Sequence, residues 1–230
     1  MLQNRFLFVL AVLVLFLLPA CNGSKPQLSK LMKSDIDMVT DAHLGQVESL
    51  LKELTRKLYR RNPRELKKSP QASLESRQRQ LFAADWSLDF AEIGHKRGIP
   101  AILLGLEPDY QGDRVFPIMV GLISMLRSSY NNQREFFLLD SLEPQKLYNS
   151  ARNIEVLVWR LKTRLDQNGQ PLLLTNSLPD EKSNLSYERL FGKLIAHQDM
   201  MAQIAAEKWD RVINRVVHSA ATSVFLPVGF

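Results

Sequence analysis

The sequence predicts an all-α fold, an irregular helical bundle in a single domain. Three observations carry that reading. Apolar residues recur at three- and four-residue spacing over long stretches, the period of a helix with one buried face. Helix starts and stops are written in Ser, Asp, Pro and Asn-Gly positions between those stretches. No stretch alternates apolar and polar residues in the way a half-buried strand does.

Ser34-Asp35-Ile36-Asp37 reads as a helix start, with Ser34 capping and acids in the first turn. Ile36, Val39, Leu44, Val47, Leu50, Leu51, Leu54 and Leu58 follow at helical spacing, and Pro63 ends the helix near Asn62. A second helix is expected from about Ser73 past Leu81-Phe82. Leu88 to Leu106 is expected as two helical pieces broken at Gly98 and Pro100. After Gly112-Asp113 comes the apolar stretch Val115 to Leu126, with Pro117 tolerated near its first turn. Asn131-Asn132 marks a turn. Ser141 to Leu165 is expected as a helix, with Leu147, Ala151, Ile154, Val158, Leu161 and Leu165 on one face. Asn168-Gly169 and Pro171 stop it. Pro171 to Ser183 is a loop in which Leu172-Leu173-Leu174 can run extended. Asn184 to about Ser223 reads as one long helix, with Leu190, Leu194, Met201, Ala205, Trp209, Val212 and Val216 as its stripe. Trp159 and Trp209 are expected in the core. No fixed-period repeat is visible, and the tetratricopeptide glycine, tyrosine and proline positions do not recur every 34 residues.

The first residues carry a different kind of information. Arg5 is followed by Phe6 to Leu18 without a polar residue, a run of a length that suits a signal-peptide h-region and is short for a membrane span of about 20 residues. Leu18-Pro19-Ala20-Cys21 then precedes the polar Asn22-Gly23-Ser24. This tetrad resembles the lipobox of bacterial lipoproteins. The resemblance implies a diacylglyceryl group on the Cys21 sulfur, cleavage before Cys21 by the dedicated signal peptidase, and often acylation of the new amine. It divides the chain into a lipoprotein signal peptide (1–20), a lipidated tether (21–28) and a helical periplasmic domain (29–230). It implies a lipid-anchored place in the bacterial cell envelope. Asn22 rather than Asp favours the periplasmic face of the outer membrane over the inner membrane, by the sorting of enteric lipoproteins. Two further segments, Leu58-Tyr59-Arg60-Arg61-Asn62-Pro63-Arg64-Glu65-Leu66 and Gln145-Lys146-Leu147-Tyr148-Asn149-Ser150-Ala151-Arg152-Asn153, resemble uncharacterised helical lipoproteins of Gram-negative bacteria. That likeness implies no activity and no site.

Composition narrows the partners. The chain carries +6 at neutral pH, and removal of residues 1–20 takes away Arg5 and no acid, so the mature chain stays basic. That balance suits anionic headgroups or acidic envelope polymers, and the compartment makes nucleic acid an unexpected partner. Cys21 is the single cysteine, so once it is lipidated no disulfide can form and packing must hold the domain. The tether is short, which keeps the domain close to the membrane.

No catalytic site, cofactor or metal is expected. His43, His95, His197 and His218 do not stand at metal-ligand spacing, and there is no HExxH, no GxSxG elbow, no phosphate-binding glycine loop and no free nucleophilic cysteine. His197 and Asp199 are two apart and do not share a helix face. The acids Asp180-Glu181 fall in a loop and are expected to be solvated. Three segments carry a bland and a functional reading each. Arg56, Lys57, Arg60, Arg61, Arg64, Lys67 and Lys68 are either a solvated helix end or a contact patch for anionic groups or an acidic protein. Ile99 to Leu106 and Val115 to Leu126 are either a buried hairpin or one that touches lipid or an apolar ligand. The tail Val224-Phe225-Leu226-Pro227-Val228-Gly229-Phe230 either packs back on the bundle or docks on a partner. The sequence favours a non-enzymatic lipoprotein that binds or helps assemble another envelope protein. A carrier or sensor of a lipid or apolar ligand is the alternative, and an enzyme acting on envelope polymers a weaker one.

Overall fold

The computed structural model describes residues 33–83, 87–137, 140–177, 181–215 and 224–229. The segments expected to be a signal peptide (1–20) and a lipidated tether (21–28), together with Cys21, Trp86, Asp180, Val216 and His218, lie outside them. The described residues form seven α-helices, one short 3-10 turn and no strand, an all-α fold as expected. No described helix is long and apolar enough to cross a membrane.

Helix α1 (Asp35–Arg61) starts in a capping box. The Asp37 backbone N–H donates to Ser34 Oγ at 3.3 Å, and the Ser34 N–H donates to Asp37 Oδ2 at 2.8 Å, so two orphan donors are satisfied at once. Leu44 through Leu58 line its buried face; in the first turns the buried residues are Asp37 and Thr40, and Val39 is exposed. At the other end Asn62 closes the helix. Its Nδ2 donates to Leu58 O and to Leu174 O, both at 2.9 Å, while its Oδ1 accepts from Leu174 N at 2.7 Å. This buried amide holds the Leu172–Leu174 stretch against the bundle, and Leu172 and Leu173 enter the core. Pro63 then opens the short α2 (Pro63–Lys67), where its missing N–H costs nothing.

Helix α3 (Leu74–Leu81) is capped reciprocally by Ser73 and Ser76. The stretch before residue 98 is not the helix expected. It holds only the 3-10 turn Ala91–Ile93, because Gly94 and His95 both turn left-handed and end it. Helix α4 (Gly98–Gly105) follows. Pro100 does not break it, since a proline in the first turn lacks only an N–H that has no intrahelical acceptor.

Helix α5 (Val115–Ser129) is buried over its full length and is the axis of the fold. It packs on α4 through small residues. A Cβ on Gly121 would lie 2.4 Å from Gly98 O and 2.7 Å from Ile102 N. The 99–126 hairpin is therefore internal, and Leu103 is its exposed large apolar side chain.

After the left-handed pair Asn131-Asn132, α6 runs Pro144–Thr163, starting three residues later than expected because Pro144 occupies the first position. Leu147, Ala151, Ile154 and Leu161 face inward as expected, but Leu165 lies beyond the helix and is exposed. Helix α7 runs Ser186–Lys208 and stops well short of Ser223. Asp210 takes a left-handed conformation and the Arg211 N–H donates to Ala206 O at 2.9 Å, a Schellman-type stop. Val212 is consequently 86% exposed rather than part of the stripe. The indoles of Trp159 and Trp209 are only partly buried; the most deeply buried aromatics among the described residues are Tyr59, Tyr130, Phe116 and Phe136. A buried polar knot joins the last three helices: Gln198 Oε1 accepts from Ser150 Oγ at 3.0 Å and Ser129 Oγ at 3.3 Å.

Candidate functional site

The seven basic residues do not form one uniform patch. Arg61 donates to Glu181 and to Asn176 O, so Glu181 is an ion-pair partner and not a free loop acid. Lys57 Nζ lies 5.0 Å from the centroid of the Tyr187 ring. Arg64 Nη2 donates to Pro171 O and Leu172 O, each at 3.2 Å, and Lys68 Nζ sits 2.8 Å from Glu65 Oε2. Lys57, Arg61 and Arg64 tie α1 and α2 to α7 and to the loop after α6, while Lys68 pairs within its own segment. Arg56, Arg60 and Lys67 are exposed and make no side-chain hydrogen bond or ion pair among the described residues.

Beside this surface lies an open cleft of about 200 Å³, with Arg64, Lys68, Arg114, Tyr110, Gln111 and Asn168 in its wall. Glu65 also lines it, and next to Arg114 in the fold lies a charged network of Asp113, Arg77 and Glu92 that no sequence motif marks. Glu65 is fully buried and accepts the Arg114 backbone N–H at 2.9 Å. The Arg114 guanidinium caps the C-terminal end of α4, donating to Gly105 O at 3.1 Å and Pro108 O at 2.9 Å. Asp113 caps α5 from the other side: its Oδ1 accepts from Val115 N at 3.1 Å and Phe116 N at 3.3 Å. Its Oδ2 accepts from Tyr59 Oη at 2.8 Å and Arg77 Nε at 3.2 Å. Arg77 also pairs with Glu92 at 2.6 Å and stacks 3.9 Å over the Phe116 ring. Burial, first, and then Asp113 push the Tyr59 hydroxyl well above its ordinary range. Burial also pushes the Asp113 carboxyl up to about 6, with Tyr59 and Arg77 pulling the other way. These groups are bound to one another, and they position α1, α3, α4 and α5 rather than presenting reactive atoms to the cleft. Signals for two of them are present in the sequence. Arg77 stands on the stripe of Leu74 and Leu81, and Asp113 immediately precedes an apolar run.

His43 and His197 meet between α1 and α7, with Nδ1 atoms 3.1 Å apart and rings edge-on. His95 instead pairs with Asp89 at the surface. His43 and His197 are both held below the ordinary histidine value. Burial is the first cause for each, followed by the facing ring for His43 and by Lys193 for His197. A base with a lowered folded pKa contributes stability above its unfolded value of 6.5 and loses it as the pH falls. The His43→Gln variant is therefore expected to lose less stability than the wild type between about pH 7.5 and 5.5, read from urea midpoints. An equal loss in both would show that the pair does not titrate with folding.

The C-terminal tail is the other candidate, and it packs on the bundle. Val228 is buried in the main core, and Phe225 lies 4.7 Å from the Arg160 guanidinium. Asn153 grips the tail at Leu226 through both backbone groups: Nδ2 donates to Leu226 O at 2.8 Å, and Oδ1 accepts from Leu226 N at 2.6 Å. Asn149 Nδ2 donates to Pro227 O at 2.7 Å, and Ser128 Oγ donates to Gly229 O.

Comparison with families of known proteins, with curated proteins and with solved structures finds no match to this chain.

Proposed function

We propose that this chain is a membrane-anchored lipoprotein of the bacterial envelope whose helical periplasmic domain binds, or helps assemble, another envelope protein without catalysing a reaction. Leu18-Pro19-Ala20-Cys21 at the end of the apolar run carries the reading. Acyl chains on Cys21 would hold the protein in the membrane, since two or more chains anchor stably where one does not. The exposed cations Arg56 and Arg60 stand in the last two turns of α1, a helix about 40 Å long, and Lys67 stands on α2 just after it. They offer an acidic partner an exposed basic surface. The carrier alternative draws less support, because the apolar hairpin it relied on faces inward.

Metabolic labelling with a fatty-acid analogue, combined with crosslinking in intact cells, tests this reading. The wild type is expected to carry the label and to co-purify with one stoichiometric protein. Cys21→Ser is expected to lose both. Equal labelling of the variant would sink the anchor. Co-purified lipid with no protein partner would sink the binding role.

A further inference from the structure

We infer that His43 and His197 form a two-imidazole site for a divalent late transition-metal ion of the Zn²⁺ type, which fastens α1 to α7. The two residues stand 154 apart in the chain, so no ligand spacing shows in the sequence. The fold brings their Nδ1 atoms to 3.1 Å. An ion at the usual Zn–N distance from both nitrogens would hold them about 3.0–3.4 Å apart over the angles that a near-tetrahedral ion adopts. The directions of the rings fit as well as the distance. Two imidazoles joined by an in-line N–H···N bond of this length would have their ring centres about 5.4 Å apart. Here the centres are 4.9 Å apart. The nitrogen axes are therefore bent off the line between them, which weakens a direct hydrogen bond. Two rings aimed at one shared ion would have their centres about 4.8 Å apart.

The donor set selects the class of ion. Imidazole nitrogen suits Zn²⁺, Ni²⁺ and Cu²⁺, whereas Mg²⁺ and Ca²⁺ take oxygen ligands. A ligating histidine must be neutral, and burial holds both rings below the ordinary histidine value. His197 is half-buried, which leaves an approach from solvent. Among the described residues no third His, Cys, Asp or Glu joins the pair, so water completes the coordination shell. Two side-chain ligands, with Lys193 acting on His197, make a weaker site than the usual three or four, and its occupancy follows the free ion concentration. The ligands meet only in the folded chain, so an ion that binds both stabilises the fold.

Zinc ion alone, titrated calorimetrically into the full-length protein in detergent, tests the site, with thermal unfolding read alongside. The wild type is expected to show a binding step and a thermal midpoint that rises with added Zn²⁺. His43→Gln and His197→Gln are each expected to lose the midpoint rise and to weaken the binding step by at least about 100-fold, the upper end of what loss of a mere outer-shell partner costs. His95→Gln, at the surface beside Asp89, is expected to keep both. Circular dichroism checks that each variant keeps its helices. If His43→Gln does not fold, His197→Gln at its half-buried position decides alone. A binding step and a midpoint rise unchanged in a folded variant would overturn the proposal, since the ion would then sit elsewhere. No binding by the wild type would overturn it as well and leave the two rings as a hydrogen-bonded pair.

Discussion

Replacing Arg77 with methionine is expected to destabilise the domain by about 3–5 kcal/mol, the usual cost of leaving one member of a buried ion pair behind. The arginine side chain is 3% exposed and the Asp113 side chain 2%. Methionine keeps much of the volume above Phe116 but supplies no proton to Asp113 Oδ2 or to Glu92. Asp113 cannot simply rotate out to water, because its other oxygen holds the first turn of α5. Each kcal/mol shifts the thermal midpoint of a domain of this size by about 2–4 °C, so the loss is readily seen. The pH dependence identifies the cause. Asp113 has a folded pKa raised above its unfolded value of 3.8, so the folded state binds the extra proton between about 6 and 3.8, and this contribution to stability grows as the pH falls through that window. Without Arg77 the carboxyl rises further, and protonation relieves an unpaired charge. The gap between variant and wild type is therefore expected to narrow below about pH 6. Urea unfolding at several pH values decides it. A loss under about 1 kcal/mol at neutral pH, the range of an ordinary surface change, would show that the pair does not hold the helices.

The same network marks the limit of what the sequence displays. Helix starts were legible where a local interaction sets them: Ser34 and Asp37 lie three residues apart and cap each other, as do Ser73 and Ser76. The end of α1 was legible because Pro63 restricts the residue before it. The inward faces of α6 and α7 were legible from period alone at Leu147, Ala151, Ile154, Leu190 and Leu194. The end of α7 was not. Its apolar period continues through Trp209 and Val212, and the stop depends on an aspartate entering the left-handed region, which glycine would have announced and Asp210 does not.

The candidate sites divide in the same way. Cys21 and the basic run are visible as residues in a row. What the basic residues do is decided by partners far along the chain, such as Glu181 for Arg61 and the Pro171 carbonyl for Arg64. The asparagines that clamp a distant backbone segment, Asn62 and Asn153, look like any surface amide until the segment beside them is known. Their targets are 112 and 73 residues away.

Substituting alanine at Gly121 is expected to destabilise the protein, whereas the same change at Gly192 is expected to stabilise it. In an open helix interior, alanine is favoured over glycine by about 0.8–1 kcal/mol. Gly192 in α7 is such a place, exposed and with nothing within 4 Å of an added Cβ. At Gly121 the added carbon would lie 2.4 Å from Gly98 O, 2.6 Å from Ile102 Cγ1 and 2.7 Å from Ile102 N. The Ile102 side chain can turn aside; the two backbone atoms cannot move unless α4 moves. Any such movement is resisted, because the Gly98 N–H is bound to Ser124 Oγ at 2.7 Å and the other end of α4 is held by the Arg114 guanidinium. Overpacking of this kind costs about 1–3 kcal/mol, more than the helix-propensity gain, and valine should exceed that range. Urea unfolding of the two alanine variants gives the comparison, with shifts of opposite sign as the expected result. If Gly121→Ala is as stable as Gly192→Ala, the close contact between α4 and α5 at Gly121 is wrong. The chain would then have room for a side chain where the fold brings two backbones together.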